Sequence, residues 1–318
     1  MRTVQKYGGS SLADEECLRR VAARIQRDAQ DAEMLVVVSA QGKTTDALTE
    51  KYRQTSSEFP SRESDALLVC GELASSALLA ATLRSMGVDA LSLHGGQIPI
   101  LAEGNFGNGT IRRISTRRIR KAWRRGQVVV VPGFQGVARD GSFMTLGRGG
   151  SDTSAVALAA ALRADRCMIF TDVDGVYSVD PRRFSEAVRF HSVNTSTMVA
   201  LAENGAKVLH PRAATLALEH DVPLEILTSF ADREGTKVSM QSPERIGITV
   251  KPVSDGISAV TVIFDLPPSG KTLFLLTEAM SRYDGIPSYT GAAFQVALPT
   301  QHADDLIRTF HGILYPKE

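Results

Sequence analysis

TLGRGGSDTSAVALAAALRA, Thr145 to Ala164, sets three glycines and several short polar residues directly before an alanine-rich run. Alanine and leucine favour a helix, expected over 152–163, and Ser151 and Asp152 fall where a helix start leaves N–H groups without partners. Glycines ahead of such a start let a backbone approach an anion closely. The spacing is neither the G-x-x-x-x-G-K-[ST] of a P-loop nor the G-x-G-x-x-G of a dinucleotide fold. Two charges sit inside it. Arg148 offers a guanidinium that can grip a carboxylate with two parallel bonds, and Asp152 is an acid at the helix start, where acids are favoured in any case.

Working outward, strands and helices alternate. RTVQKY reads as a strand, followed by a Gly-Gly-Ser-Ser turn and a helix over about 14–30. MLVVVSA (34–40) is a continuous β-branched run, the pattern of a strand buried on both faces. A helix over about 65–86 precedes a strand at VDALSL. GQVVVVPGF (126–134), CMIFTDVDG and VPLEIL (222–227) read as further buried strands. This alternation predicts an α/β fold, a mostly parallel sheet with helices on both sides, that is, a three-layer αβα sandwich. Past Ser242 the texture changes to β-α-β-α with alternating strands, in GISAVTVIFDLP, a segment near 270–283, GAAFQVALP and ADDLIRTFHGIL. Two domains are therefore expected, 1–242 and a small α+β domain at 243–318, divided in the polar stretch SMQSPERIG.

With 43% hydrophobic and 22% charged residues in 318, the chain has the make-up of a globular protein with ample core. A net charge of +1 gives no global reason to expect nucleic acid or a membrane surface. No apolar run is expected to approach the ~18 residues of a bilayer span, and the start MRTVQKYGG has no signal-peptide core. Cys17, Cys70 and Cys167 are isolated and odd in number, which argues against a disulfide framework or zinc site and fits a reducing cytoplasm. One basic stretch, RRISTRRIRKAWRR (112–125), reads as a solvated amphipathic helix with Ile119, Ala122 and Trp123 turned inward; a polyanion patch is the alternative.

Five turns follow predicted strands, where doubly wound sheets bind ligands. KYGGSSL (6–12) offers Lys6 and two glycines, a setting for phosphates; VVVSAQGKTTD offers the hydroxyls of Ser39, Thr44 and Thr45. GRGGSD is the third. TDVDGVYSVDPRR (171–183) places Asp172 and Asp174 where they would serve a ribose, a metal or an Asx turn, and NGAKVLHPRA (204–213) carries Lys207. Two lysines and an arginine, with no Ser-His-Asp order, no catalytic cysteine and no metal-ligand cluster, suit phosphoryl transfer, where positioning and charge stabilisation supply most of the catalysis.

The blocks KYGGSSL, VVVSAQGKTTD, GELASSALLA, PGFQGV, TLGRGGSDTSAVALAAAL, TDVDGVYSVDPR and GAKVLHPRA, in that order over residues 2–240, resemble the aspartate kinases of the amino-acid kinase superfamily. The resemblance implies the amino-acid kinase fold and ATP-dependent phosphorylation of the β-carboxylate of L-aspartate, feeding lysine, threonine, methionine or, in some bacteria, ectoine. It implies that Lys6, Asp152 and Lys207 are catalytic, with Asp152 orienting both lysines. Ser39, Thr45, Glu72, Arg148 and Ser151 would hold the amino acid, Glu72 its ammonium and Arg148 its α-carboxylate. Lys6, Tyr7, Gly8, Gly9, Thr171, Asp172, Tyr177, Arg182, Lys207 and Val208 would hold the nucleotide, with Mg2+ carried on the ATP phosphates rather than by a protein metal site.

Two departures bear on that expectation. The stretch GGQIPILAEGNFGNG (95–109) stands where the family reads close to Q-A-G-I-x-T, which leaves a different amino-acid carboxylate as the alternative substrate; a non-catalytic amino-acid sensor is a further alternative. The last 75 or so residues have room for one ACT-like module where the family has two. They imply a homodimer paired through that module, with weak or altered feedback by lysine or threonine.

Overall fold

The structure, a computed structural model, describes residues 1–243, 245–264 and 266–316. Glu244, inside the expected domain boundary, and Asp265, inside an expected strand run, lie outside the described residues. In chain order the elements begin with β1 (Arg2–Tyr7), α1 (Glu15–Asp28), β2 (Glu33–Val38), α2 (Thr44–Thr55), α3 (Arg62–Ser85) and β3 (Ala90–Ser92). Then come β4 (Ile100–Glu103), β5 (Thr110–Ile114), α4 (Arg117–Trp123), β6 (Val128–Pro132), β7 (Gln135–Val137), β8 (Phe143–Thr145), α5 (Gly150–Leu162) and β9 (Arg166–Thr171). The remainder is β10 (Ser192–Asn194), α6 (Thr195–Glu203), α7 (Pro211–Glu219), β11 (Leu224–Thr228), β12 (Thr236–Ser239), β13 (Gly247–Ser254) and β14 (Ile257–Ile263). It closes with α8 (Gly270–Met280), β15 (Ile286–Thr290), β16 (Ala293–Pro299) and α9 (Ala303–Leu314).

The chain divides into two compact units, Met1–Asp174 with Glu219–Glu234, and Gly175–Leu218 with the residues from Gly235 onward. In the first unit six parallel strands run in the order β11-β9-β1-β2-β6-β3. Because β1 and β2 lie inside this sheet, both of their faces are covered, which is why EMLVVV has no polar alternation. Successive side chains point to opposite faces. Tyr7, Val36, Val38 and Phe170 pack under α1 and α3 with Leu18, Ile25, Leu79 and Leu83, and α5 covers the other face. The helices on both faces make the expected three layers.

The opening of α3 carries a capping box: Ser61 Oγ accepts from Ser64 N, and Ser61 N donates to Ser64 Oγ. Counter to the expectation of no long apolar run, α3 is apolar over a length that could span a bilayer. It is nonetheless a packed helix here, with Leu68, Val69, Leu79 and Leu83 in the core and the polar Asp65 and Glu72 buried along it.

A second sheet in this unit, β5-β4-β7-β8, was not foreseen. Its strands are three to five residues long, too short for periodicity to show, and two of them fall in the Gly- and Asn-rich stretch and the basic stretch. The basic stretch is a helix only over Arg117–Trp123; Ile119, Ala122 and Trp123 are buried as expected, and Trp123 Nε1 donates to Met34 O at 2.9 Å.

In the second unit the antiparallel order β13-β14-β16-β15 is covered by α8 and α9, with Val260, Val262, Val296, Leu276, Leu306 and Phe310 in the shared core. The order is ββαββα, not βαβα. β13 is buried only over its first three residues and β15 is exposed throughout, so neither shows the alternation of a half-buried strand. Residues 175–190 join this core, contrary to a division at 242: Ile248 N donates to Ser178 O at 2.7 Å, and Val179 and Phe184 pack among its apolar residues. β10 and β12 form a parallel pair in the same unit.

Candidate active site

The parallel sheet of the first unit delivers three turns to one end. After β1, β2 and β6 the chain is tied across by Ser39 N to Tyr7 O (3.1 Å), Gly42 N to Gly9 O (3.0 Å) and Gly133 N to Val38 O (2.8 Å). These ends lie beside the point where the strand order turns from β2 to β9 around β1, the position at which open α/β sheets bind ligands.

Lys6 leaves β1 toward the α5 face and is 8% exposed. Its Nζ lies 2.6 Å from Asp152 Oδ1, an ion pair with both side chains largely out of water. Asp152 reaches it from the first turn of α5, and Gly147 and Gly149, with φ of 73° and 67°, set that helix start. Both are in the left-handed region that glycine enters without Cβ strain. Between them Arg148 is exposed, and among the described residues it has no ion-pair partner. Ser39 Oγ donates to Ser151 Oγ at 2.9 Å, so the second and third turns meet directly. The approach is close because Gly133 has no side chain: a Cβ there would lie 2.9 Å from Ser151 Cβ and 3.0 Å from Val37 Cγ1.

Glu72 comes up from α3 beneath the second turn and is 3% exposed. Ala40 N donates to its Oε1 at 3.1 Å, while Oε2 is buried with no hydrogen-bond partner. Burial pushes the Glu72 carboxyl up to about 7, and the Ala40 N–H opposes part of that rise. Leaving a buried carboxyl oxygen without a partner costs free energy, which a donor brought to it would offset. Glu72, Ala40, Ser39, Ser151, Asp152 and Lys6 thus form one contiguous chain of contacts.

Other expected residues take different places. Gly9 answers first to the protein itself, since a Cβ would sit 2.7 Å from Ala40 O. Gly8 lies by Lys6 Nζ and Phe170 O, 3.7 and 3.8 Å from where its Cβ would be. The Tyr7 ring points into the core, stacked on Phe170 at 4.6 Å with its hydroxyl on Gln5 Oε1, so only its backbone faces the turns. Thr45 is half-buried in the first turn of α2, its carbonyl accepting from Thr49 Oγ1. Thr171 Oγ1 donates to Asp172 Oδ1 at 3.0 Å at the end of β9. Tyr177, Arg182, Lys207 and Val208 belong to the second unit: Tyr177 bridges Arg189, Arg182 bonds Asp180, and Lys207 is exposed in the bend after α6. Of the two lysines assigned to Asp152, the described contacts join it to Lys6. Asp65 was not foreseen. An acid in the first turn of a helix carries no signal beyond the helix itself, yet this one is fully buried and bonded to Thr145.

The amino acid kinase family model matches residues 1–228. An aspartokinase of a Bacillus species is 44% identical over 269 residues, covering 84% of this chain; the chain spans 65% of that relative's length. An aspartate kinase of Stutzerimonas stutzeri is 39% identical over 303 residues, 95% of this chain and 69% of the relative. Aspartokinase III of E. coli, crystallised with aspartate and ADP, superposes with a TM-score of 0.86 at 21% identity, covering 99% of this chain and 100% of that one, which bears on the fold alone. By the family model over its first 228 residues and by these relatives, this chain belongs to the amino acid kinase family and stands with its aspartokinases.

Proposed function

We propose that this chain transfers the γ-phosphoryl group of ATP to the β-carboxylate of L-aspartate, giving 4-phospho-L-aspartate. The observation that carries the reading is the open oxygen of Glu72, a buried carboxyl bonded to the N–H of Ala40, the residue after Ser39, and so suited to an ammonium group. Arg148, exposed between two glycines, is the complementary cation for an α-carboxylate. Ser39, Ser151 and Thr45 supply hydroxyls for the acceptor carboxylate, which is ionised at neutral pH and needs no general base. Lys6, held extended by Asp152, neutralises charge on the transferring group as the acceptor oxygen forms its bond to phosphorus and the bridging oxygen leaves with ADP. Gly8, Gly9 and the backbone of Tyr7 are assigned to the phosphates, Thr171 and Asp172 to the nucleoside. Tyr177, Arg182, Lys207 and Val208 are assigned to the nucleotide from their motifs. This donor set of amides and an amine fits phosphate oxygens, and magnesium would arrive on them.

The same reading assigns catalysis to the first unit and the motifs at 177–208, and makes the C-terminal sheet an ACT-like module through which two copies pair, with lysine or threonine as effector, in a cytoplasmic enzyme. Pairing is supported by Phe274 and Ile286, 66% and 75% exposed on α8 and the edge strand β15. The test is a hydroxylamine trap of the acyl phosphate over a panel of acidic amino acids. Aspartate hydroxamate as the dominant product is expected. A stronger signal from another acid would redirect the assignment to that carboxylate, and none from any acid would point to a sensor.

A further inference from the structure

Asp65 lies on α3, seven residues before Glu72, fully buried and without a lysine or arginine partner among the described residues. Its oxygens do not cap its own helix. Oδ2 accepts from Thr145 N at 2.6 Å and from Gly107 N at 3.0 Å, and Oδ1 accepts from Thr145 Oγ1 at 2.9 Å. Three donors from two distant segments therefore satisfy one buried charge, and such charge-assisted bonds are the stronger kind. Thr145 is further tied by Gly109 N, which donates to its carbonyl at 2.8 Å, and Leu146 N donates to Phe134 O at 2.8 Å. The next residues are Gly147, Arg148 and Gly149, so the arginine stands on a short span whose near end is held at Thr145 and Leu146 and whose far end is the start of α5. Gly107, with φ of 80°, is pressed against Pro60, where a Cβ would lie 2.5 Å from Pro60 Cβ; the loop tip is thus seated on the same carboxylate.

We infer that Asp65 is a positioning residue for amino-acid recognition: it holds the 145–149 span, and through it Arg148, and locks the 104–109 loop tip to that span. The inference deepens the proposed reading and rests on it for the role of Arg148. Its chemical content is that the identity of a loop remote in sequence sets how tightly the acceptor's α-carboxylate is gripped.

The test is steady-state kinetics of Asp65→Asn in the full chain, alone and combined with Arg148→Ala. Asparagine turns an acceptor oxygen into a donor facing Thr145, and the acceptor KM should rise about 10-fold or more, with the ATP KM changed less than about 2-fold. In the Arg148→Ala background the same substitution should change the acceptor KM less than about 2-fold. Thr145→Val, which removes one bond of the three, should give a smaller rise of the same kind and serves if Asp65→Asn does not fold. An unchanged acceptor KM in a folded variant, equal effects on both substrates, or the same rise with and without Arg148 would overturn the inference. A wild-type chain that forms no acyl phosphate defeats the kinase reading instead. Amide exchange then decides: joint loss of protection at Gly107 and Thr145 in Asp65→Asn supports the clamp, and protection retained at either overturns it.

Discussion

In the first unit the carboxyl ends of β1 and β2 bury charge, with Lys6, Asp152 and Glu72 largely withdrawn from water. The sheet of the second unit buries Val260, Val296, Leu298 and Phe310 under two helices, and among the described residues of those helices the buried titratable side chain is His311, 2.9 Å from Ser178. The first arrangement spends stability on an open carboxylate oxygen and a paired ammonium. The second gains stability from apolar area and holds little that could do chemistry. A substitution in one region should therefore leave the other's observable in place, and four changes sharpen or break that contrast.

Phe310→Ala empties the centre of the C-terminal core and should cost about 3–5 kcal/mol in denaturant unfolding, with turnover per folded molecule kept. Loss of turnover in the folded variant would show that the two regions are not separable. Lys6→Ala removes a charge from the transferring group and leaves Asp152 buried without its partner, so kcat should fall by about 10²–10³ and the melting temperature should fall with it. A lysine that serves only the pair with Asp152 would lower the melting temperature and spare kcat.

Glu72→Gln tests both sides of the account. The folded carboxyl titrates near 7 against its usual 4.5, so the folded state binds its proton more tightly than the unfolded chain does. Its contribution to stability is full below pH 4.5 and is lost as pH rises through 7, on the order of 3 kcal/mol in all. Unfolding measured without substrate should show that decline in the wild type and not in Glu72→Gln. Acceptor binding runs the other way: the ammonium needs the ionised carboxylate, so the acceptor KM should rise as pH falls below 7, and in Glu72→Gln it should be high and flat. The smallest effect belongs to Ser61→Ala, which removes half of the α3 capping box and should cost about 1 kcal/mol with kinetics unchanged.

The same contrast explains what could be read beforehand. Buried parallel strands announce themselves as continuous β-branched runs, and VVVV at 128–131 or EMLVVV needs no partner to be recognised. The turns after them were legible because glycine, lysine and hydroxyl side chains stand at fixed offsets from those runs. β15 was not legible, because an edge strand exposed along its whole length has no burial pattern to imprint. Asp65 was hidden for a different reason. Its meaning lies in contacts to Gly107 and Thr145, 42 and 80 residues away, and no local pattern records them. Tyr7 shows the converse: a motif position whose ring the strand's alternation sends away from the ligand side.

The single tryptophan of the chain, Trp123, is buried in the first unit and bonded to the carbonyl that starts the apolar part of β2. Indole emission shifts when that carbonyl and the surrounding core give way to water, so the protein carries an indole label on one of its units and none on the other. Fluorescence against far-ultraviolet dichroism would thus resolve the melting of the two regions without any added dye, and a gap between the two curves would measure directly how independently they fold.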